Sequence, residues 1–290
     1  MRSSDSLANR FAHLQQAARN DPQPGAAVRE RRLLALDRLL LDNAEALAAA
    51  VGSDFGQRAP AETRLLELFP SHEAVRHARR HLRRWMRPQR RPVSLWFQPA
   101  RAEVRYQPLG AVGIIVPWNY PIFLAAAPLA GALAAGNRVL VKMSEFTPAT
   151  ASLFAELVRR NFDEDELSVV EGDIGVAQEF SRLPFDHLLF TGSTQVGRHV
   201  MHAAADNLTP VTLELGGKSP AIIAPGPTSS ALFAHAVERI IVGKCMNAGQ
   251  TCIAPDYLLL PAGQEQAFID RARQVVASCY PAIGTTADYS

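Results

Sequence analysis

Residues 28–51 carry Leu33, Leu36, Leu40 and Leu47 at helical spacing, with Arg and Asp between them, and predict an amphipathic helix. Residues 63–86 form a second long amphipathic segment, so roughly the first ninety residues read as helix. Prolines punctuate 88–99 and mark a boundary, and 102–107 (A-E-V-R-Y-Q) alternates as a strand or an exposed arm would. From residue 109 the pattern changes in kind. Short Val/Ile/Leu runs predict strands at 109–116, 138–142, 167–170, 187–190 and 211–215. Between them, helices are predicted at 121–135, at 147–160 with Pro148 in its first position, at 174–183 and at 195–205. Apolar strands alternating with helices imply a parallel sheet covered on both faces, a doubly wound α/β domain.

Such folds bind ligands outside the carboxyl ends of their strands. The polar residues just after each strand are therefore the candidates, and they would gather at one sheet edge. Pro117, Trp118, Asn119 and Tyr120 follow the first strand, and Lys142, Ser144 and Glu145 the second. Gly192, Ser193 and Thr194 follow the fourth, with Val196 and Gly197 opening the next helix; Glu214, Gly216 and Gly217 end the fifth. Gly192 allows close backbone approach, and a helix N-terminus offers free N–H groups to an anion. The G-x-x-x-x-G spacing is neither the dinucleotide fingerprint nor a P-loop, and a plain strand-to-helix turn explains it equally. Lys142 and Glu145 suit ribose hydroxyls, or form an ordinary solvated pair at a helix entrance. A carboxylate there would repel the extra phosphate of NADP, which tilts the choice toward NAD. Asn119 offers a neutral donor to an oxyanion, or makes a turn. Glu214, between Leu213 and Leu215, is expected to be partly buried and so suited to act as a base, unless it simply pairs with Lys218.

Beyond the sheet comes N-A-G-Q-T-C, ending at Cys252. A thiol behind small polar residues is available to react, whereas a core cysteine sits among apolar neighbours. Cys245 and Cys252 are poorly spaced for a metal, no metal site is expected, and Cys245 and Cys279 read as structural.

Composition narrows the classes. The 290 residues are 48% hydrophobic and 20% charged, with a net charge of +2. Arginines at 76, 79, 80, 83, 84 and 87, then 90 and 91, make one basic run. Without interleaved aromatics and with overall charge balanced, it reads as a solvated helix face rather than a nucleic-acid surface. Three cysteines argue for a reducing compartment. The first residues have no signal-peptide core, and the most apolar run, 125–135, is too short to span a bilayer, so a soluble cytoplasmic protein is expected.

Taken together and in order, P-W-N-Y-P, V-K-M-S-E, F-T-G-S-T-Q-V-G, L-E-L-G-G-K-S-P and N-A-G-Q-T-C resemble the aldehyde dehydrogenase superfamily. G-Q-T-C-I-A-P-D-Y is similar to the branch acting on aromatic and fatty aldehydes, coniferyl aldehyde in particular. The resemblance implies helices at 1–90 packed on a Rossmann-like NAD domain at 91–210, and the start of an α/β catalytic domain at 211–290. It implies Cys252 as nucleophile, Asn119 with the Cys252 N–H as oxyanion donors, and Glu214 as the base that activates water. The cofactor, NAD or NADP, would be held by Trp118, Lys142, Glu145, Gly192, Ser193, Val196, Gly197, Leu215 and Gly216. The substrate would be a small aldehyde, oxidised to the acid through a thiohemiacetal and a thioester. Glu214 speaks against an acylating or phosphate-reducing relative, because a water-activating base implies hydrolysis. Met143 departs from the proline usual after the lysine, a local change expected to be tolerated. Family chains run to roughly 450 to 500 residues, beyond the usual single-domain range, and this one closes at Ser290 soon after the cysteine loop, without E-I-F-G-P. The sequence is therefore expected to be C-terminally incomplete and the full-length form a homodimer. The alternative reading of these 290 residues is an inactive, cofactor-binding fragment.

Overall fold

The structure is a computed structural model, and it describes residues 6–282 and Tyr289. The opening residues 1–5, read above for a signal peptide, and most of the closing stretch lie outside the described residues.

The N-terminal third is helical: α1 (Leu7–Asn20), α2 (Ala26–Asp42), α3 (Ala44–Phe55), α4 (Pro60–Thr63) and α5 (Phe69–Trp85). The single helix expected over 28–51 is divided at Asn43, whose φ of −118° and ψ of 19° leave the helical region. Its side-chain amide donates to the Leu39 carbonyl at 2.9 Å, satisfying an end group of α2 and turning the chain into α3. Between α4 and α5 lies a π turn, Arg64–Leu68, with a wide bond from Phe69 N–H to the Arg64 carbonyl. In the basic run, Arg79 and Arg83 lie at 3.8 and 3.7 Å from Asp37 and Glu30 of α2, so these arginines help seat α5.

Next come β1 (Gln89–Arg91) and β2 (Ala102–Val104), an antiparallel ribbon exposed along its length. The alternating 102–107 stretch thus opens as one strand of an exposed arm, and the connection between β1 and β2 carries Leu95, Trp96 and Phe97, all exposed.

The sheet follows as expected, with α6 (Phe123–Ala135) and α7 (Pro148–Asn161) among its connections: β3 (Ala111–Ile115), β4 (Arg138–Lys142), β5 (Leu167–Val170), α8 (Ile174–Ser181), β6 (His187–Gly192), α9 (Thr194–Ala205) and β7 (Val211–Leu215). The spatial order is β5-β4-β3-β6-β7, every pairing parallel. β7 belongs to this sheet, so the sheet extends past the boundary at 210. Strand order reverses between β3 and β6, the switch point where doubly wound sheets take their ligands. Alternate residues face opposite layers. Val112, Ile114, Val139 and Val141 join one core with α2, α5, α6 and α7; Ala111, Ile115, Leu140 and Phe190 join another with Phe11, Phe180 and Val200 of α1, α8 and α9. The helices at 6–85 therefore share a core with the sheet. Met143 is buried in that core.

The remainder comprises β8 (Ser219–Ile222), α10 (Ala231–Cys245), β9 (Pro255–Leu259) and α11 (Glu265–Cys279), with β8 and β9 paired in parallel. Its buried apolar residues include Phe233, Val237 and Val275, while Ile222, Leu232 and Ile253 are exposed. No described helix is long and apolar enough to cross a membrane.

Candidate active site

The chain leaves β3 into the loop bearing Trp118, Asn119 and Tyr120, and this loop is laced to the cysteine loop. The Asn119 side-chain amide donates to the Gln250 carbonyl at 3.0 Å. The Asn247 amide donates to the Asn119 carbonyl at 2.9 Å, and the Tyr120 hydroxyl lies 2.6 Å from Thr251 Oγ1. Asn247, Ala248 and Gly249 turn the loop through three successive left-handed residues, at φ 49°, 51° and 78°. A non-glycine residue there is strained and persists only where surrounding contacts over-determine it. Asn247 is fully buried, and Cys252 at the loop's end is exposed. The tertiary fold thus brings Asn119 beside the Cys252 loop. One of its two amide hydrogens is used on Gln250, which leaves the other.

Glu214 corrects an expectation: it is exposed, not partly buried. β7 has no neighbour on its outer side among the described residues, so flanking leucines cannot enclose it; Leu215 is itself 37% exposed. Nor does Lys218 pair with Glu214, because its Nζ lies 3.1 Å from Asp256 Oδ1.

Lys142 is 1% exposed, and its Nζ donates to the Met143 carbonyl at 2.7 Å and lies 3.4 Å from Glu145 Oε2. Burial pushes its pKa below the ordinary value, and the Glu145 carboxylate opposes that shift. Glu145 itself is exposed, at the entrance to α7. The expected opening of α7 at 147–148 is seen, yet Thr147 makes no side-chain cap. Asp54 of α3 supplies it instead, accepting from Ala149 N–H at 2.9 Å and from Thr150 N–H at 2.8 Å.

Ser193 caps α9, its hydroxyl accepting from Val196 N–H at 3.2 Å. A Cβ on Gly192 would come within 2.4 Å of the Phe190 ring, and one on Gly197 within 2.9 Å of Leu215. Packing against the Phe190 ring accounts for Gly192, whereas at Gly197 only the end of a half-exposed side chain stands in the way. Gly216 has open space around it, and Trp118 tilts against Phe55 at 6.1 Å between ring centroids. A cleft of about 670 Å³ runs between α8 and α9, floored by Ile115 and Phe190 and flanked by Ile174, Val196 and His199. Of the residues chosen from the sequence, only Val196 lines it. The α8 side was missed because nothing in its sequence marks it; pairing two helices across a cleft is a tertiary event. Burial raises the pKa of the Cys245 thiol, and Cys279 is exposed at the end of α11. Among the described residues no group of three or more His, Cys, Asp or Glu side chains could hold a metal ion.

The profile of the aldehyde dehydrogenase family matches residues 9–287. The chain belongs to the aldehyde dehydrogenase family. Among family members it is 52% identical over 280 residues to a probable coniferyl aldehyde dehydrogenase of Pseudomonas aeruginosa, covering 97% of this chain and 58% of that one. It is 48% identical to a coniferyl aldehyde dehydrogenase of a Pseudomonas species, covering 96% and 56%. The structure of Staphylococcus aureus AldH in a substrate-bound state superposes with a TM-score of 0.93 at 33% identity, covering 98% of this chain and 61% of that one. A Mycobacterium tuberculosis aldehyde dehydrogenase complexed with NAD+ gives 0.81 at 31% identity, covering 93% and 56%. The chain therefore spans somewhat more than half the length of these aldehyde dehydrogenases.

Proposed function

We propose that the protein of which these residues form the cofactor and nucleophile portion oxidises an aromatic, coniferyl-aldehyde-like substrate to its acid with NAD or NADP. The observation that carries this reading is the lacing of Asn119 to the loop of an exposed Cys252, through the carbonyl of Gln250 two residues before the thiol. The Cys252 sulfur attacks the aldehyde carbon, and the carbonyl electron pair moves onto oxygen. The Asn119 amide and the Cys252 N–H hold that oxyanion. When bound, the nicotinamide cofactor supplies the hydride acceptor that turns the thiohemiacetal into a thioester. Glu214 then takes a proton from the water that attacks the thioester, releasing the acid and regenerating the Cys252 thiolate.

The residues present fit such a cofactor. The apolar walls of the α8–α9 cleft suit a flat base. The start of α9 suits a diphosphate, and the Lys142–Glu145 pair suits ribose hydroxyls. Trp118, Gly192, Ser193, Gly197, Leu215 and Gly216 complete the proposed edge. Glu145 would repel an added 2′-phosphate, which tilts the choice to NAD.

Exposure of Cys252 and Glu214 favours a second reading for the 290-residue chain taken by itself: it binds the dinucleotide without turning over. Incubation with cinnamaldehyde-type substrate and NAD, followed by intact mass and nicotinamide absorbance, tests both. Acylation at Cys252 that Cys252→Ala abolishes supports the catalytic reading, and undiminished turnover in Cys252→Ala refutes it. Steady NADH production by the chain itself refutes the second reading.

A further inference from the structure

Two carboxylates of the N-terminal helical segment reach into the loops that carry the proposed chemistry. Glu67, in the π turn, is fully buried. Its Oε2 accepts from Ile122 N–H at 2.7 Å and Phe123 N–H at 3.1 Å, the first amides after the Asn119 loop. Its Oε1 accepts from Arg58 Nη1 at 2.7 Å. The Arg58 guanidinium in turn lies 5.0 Å from the centre of the Tyr120 ring, whose hydroxyl meets Thr251. Glu62, in α4, accepts from the Asn247 N–H at 2.5 Å, at the first of the three left-handed residues before Cys252.

The two acids are five residues apart. In an α-helix that spacing turns side chains well away from each other, since neighbours on one face lie three or four apart. A π turn bonds residue i to i+5 and so brings positions five apart toward one side. The wide turn thereby aims two carboxylates at two loops from a single helical run.

We propose that Glu62 and Glu67 are positioning residues, holding the Cys252 loop and the Asn119 loop in register through backbone amides. This rests on the reading that Asn119 and Cys252 carry the chemistry, and it assigns to the helical segment a part in building the oxyanion site. Without the Glu62 acceptor, the strained turn at Asn247 and Ala248 loses an outside partner. Without the Glu67 acceptors, the start of α6 is free to shift and Asn119 with it.

The test is hydrogen exchange by mass spectrometry on the 290-residue chain, with Glu62→Ala, Glu62→Asp, Glu62→Gln and Glu67→Gln. Glu62→Ala removes a charge-assisted bond and is expected to speed exchange across 246–252 by about tenfold or more, leaving 138–142 unchanged. Glu62→Asp keeps the charge but shortens the reach, and is expected to do the same. Glu62→Gln retains an acceptor oxygen and is expected to restore most of the protection. Glu67→Gln loosens 120–126 selectively. Alkylation of Cys252 measured against Cys279 in the same sample follows the loop and changes in Glu62→Ala. Parent-like exchange across 246–252 in both Glu62→Ala and Glu62→Asp overturns the proposal, as does loosening that is equal in every peptide. None of these readouts needs turnover, so a Cys252→Ala variant that keeps its activity would defeat the chemical reading and leave the exchange result standing.

Discussion

Asp54→Ala tests whether a carboxylate on α3 sets the start of α7, the helix that follows Lys142 and Glu145. Asp54 accepts three hydrogen bonds: Ala149 N–H at 2.9 Å, Thr150 N–H at 2.8 Å and Thr150 Oγ1–H at 2.7 Å. Thr150 is fully buried, so water cannot replace the acceptor for its amide or its hydroxyl, whereas Ala149 is half-buried and can be rehydrated. Two orphaned buried donors at about 1–3 kcal/mol each, partly relieved by rotation of the hydroxyl, give an expected loss of about 3 kcal/mol. An N-cap removed at the surface costs about 1 kcal/mol, so the burial of Thr150 accounts for the difference. Asp54→Asn keeps one acceptor oxygen and is expected to lose roughly half as much. Urea unfolding followed by tryptophan fluorescence measures both, read as a shift of midpoint at constant slope. A loss below about 1 kcal/mol for Asp54→Ala would refute the reasoning, because it would mean that α7 caps itself.

Two further outcomes follow from buried contacts. Glu166 is buried; burial would raise its pKa, but hydrogen bonds from Arg31 and from Arg32 Nε at 3.0 Å outweigh it, and the net shift is below the ordinary 4.5. A carboxylate with a depressed folded pKa contributes stability that is complete above 4.5 and lost as pH falls through the folded value. Glu166→Gln should therefore be less stable than the parent at neutral pH and converge with it in acid, and a gap that stays constant in urea midpoints from neutral pH down to below 4.5 would contradict this. Gly113→Ala sets a Cβ 2.7 Å from the Phe185 ring and 2.8 Å from Leu188, both buried beside the central strand, and should cost about 1–3 kcal/mol. Gly197→Ala meets only the end of half-exposed Leu215 while gaining helix propensity, so its change should stay within about 1 kcal/mol; equal melting temperatures for the two variants would contradict the contrast.

The strands of the sheet were legible because each is a short apolar run between turn residues, and all five lie within a residue or two of where periodicity put them. Divisions inside the helical third were not. Asn43 and the π turn interrupt stretches whose hydrophobic spacing continues across them, so periodicity passes over both. At the site, the loops that carry Asn119 and Cys252 meet through the Asn119 bond to the Gln250 carbonyl, a contact between positions 131 residues apart that no local pattern shows. The environment of Glu214 was misread, because two flanking leucines report local polarity and not what covers a strand from outside. Tyr120 was named among the residues after the first strand, though its bond to Thr251 was not foreseen; Glu62, Glu67 and Asp54 carried no local signal at all.

By itself the sequence determined the alternation of strand and helix, hence a doubly wound parallel sheet, and the ordered motifs that mark an aldehyde dehydrogenase. Both are local: a two-residue period and a short run of residue types can be read without knowing what lies opposite. Only the tertiary structure decided which groups end on which. Asn119 meets Gln250, Glu62 meets Asn247, Glu67 meets Ile122 and Phe123, and Asp54 meets Thr150. These are side-chain bonds to backbone groups, and a backbone N–H looks the same at every position in a sequence. Which one a carboxylate finds is fixed when the helices pack.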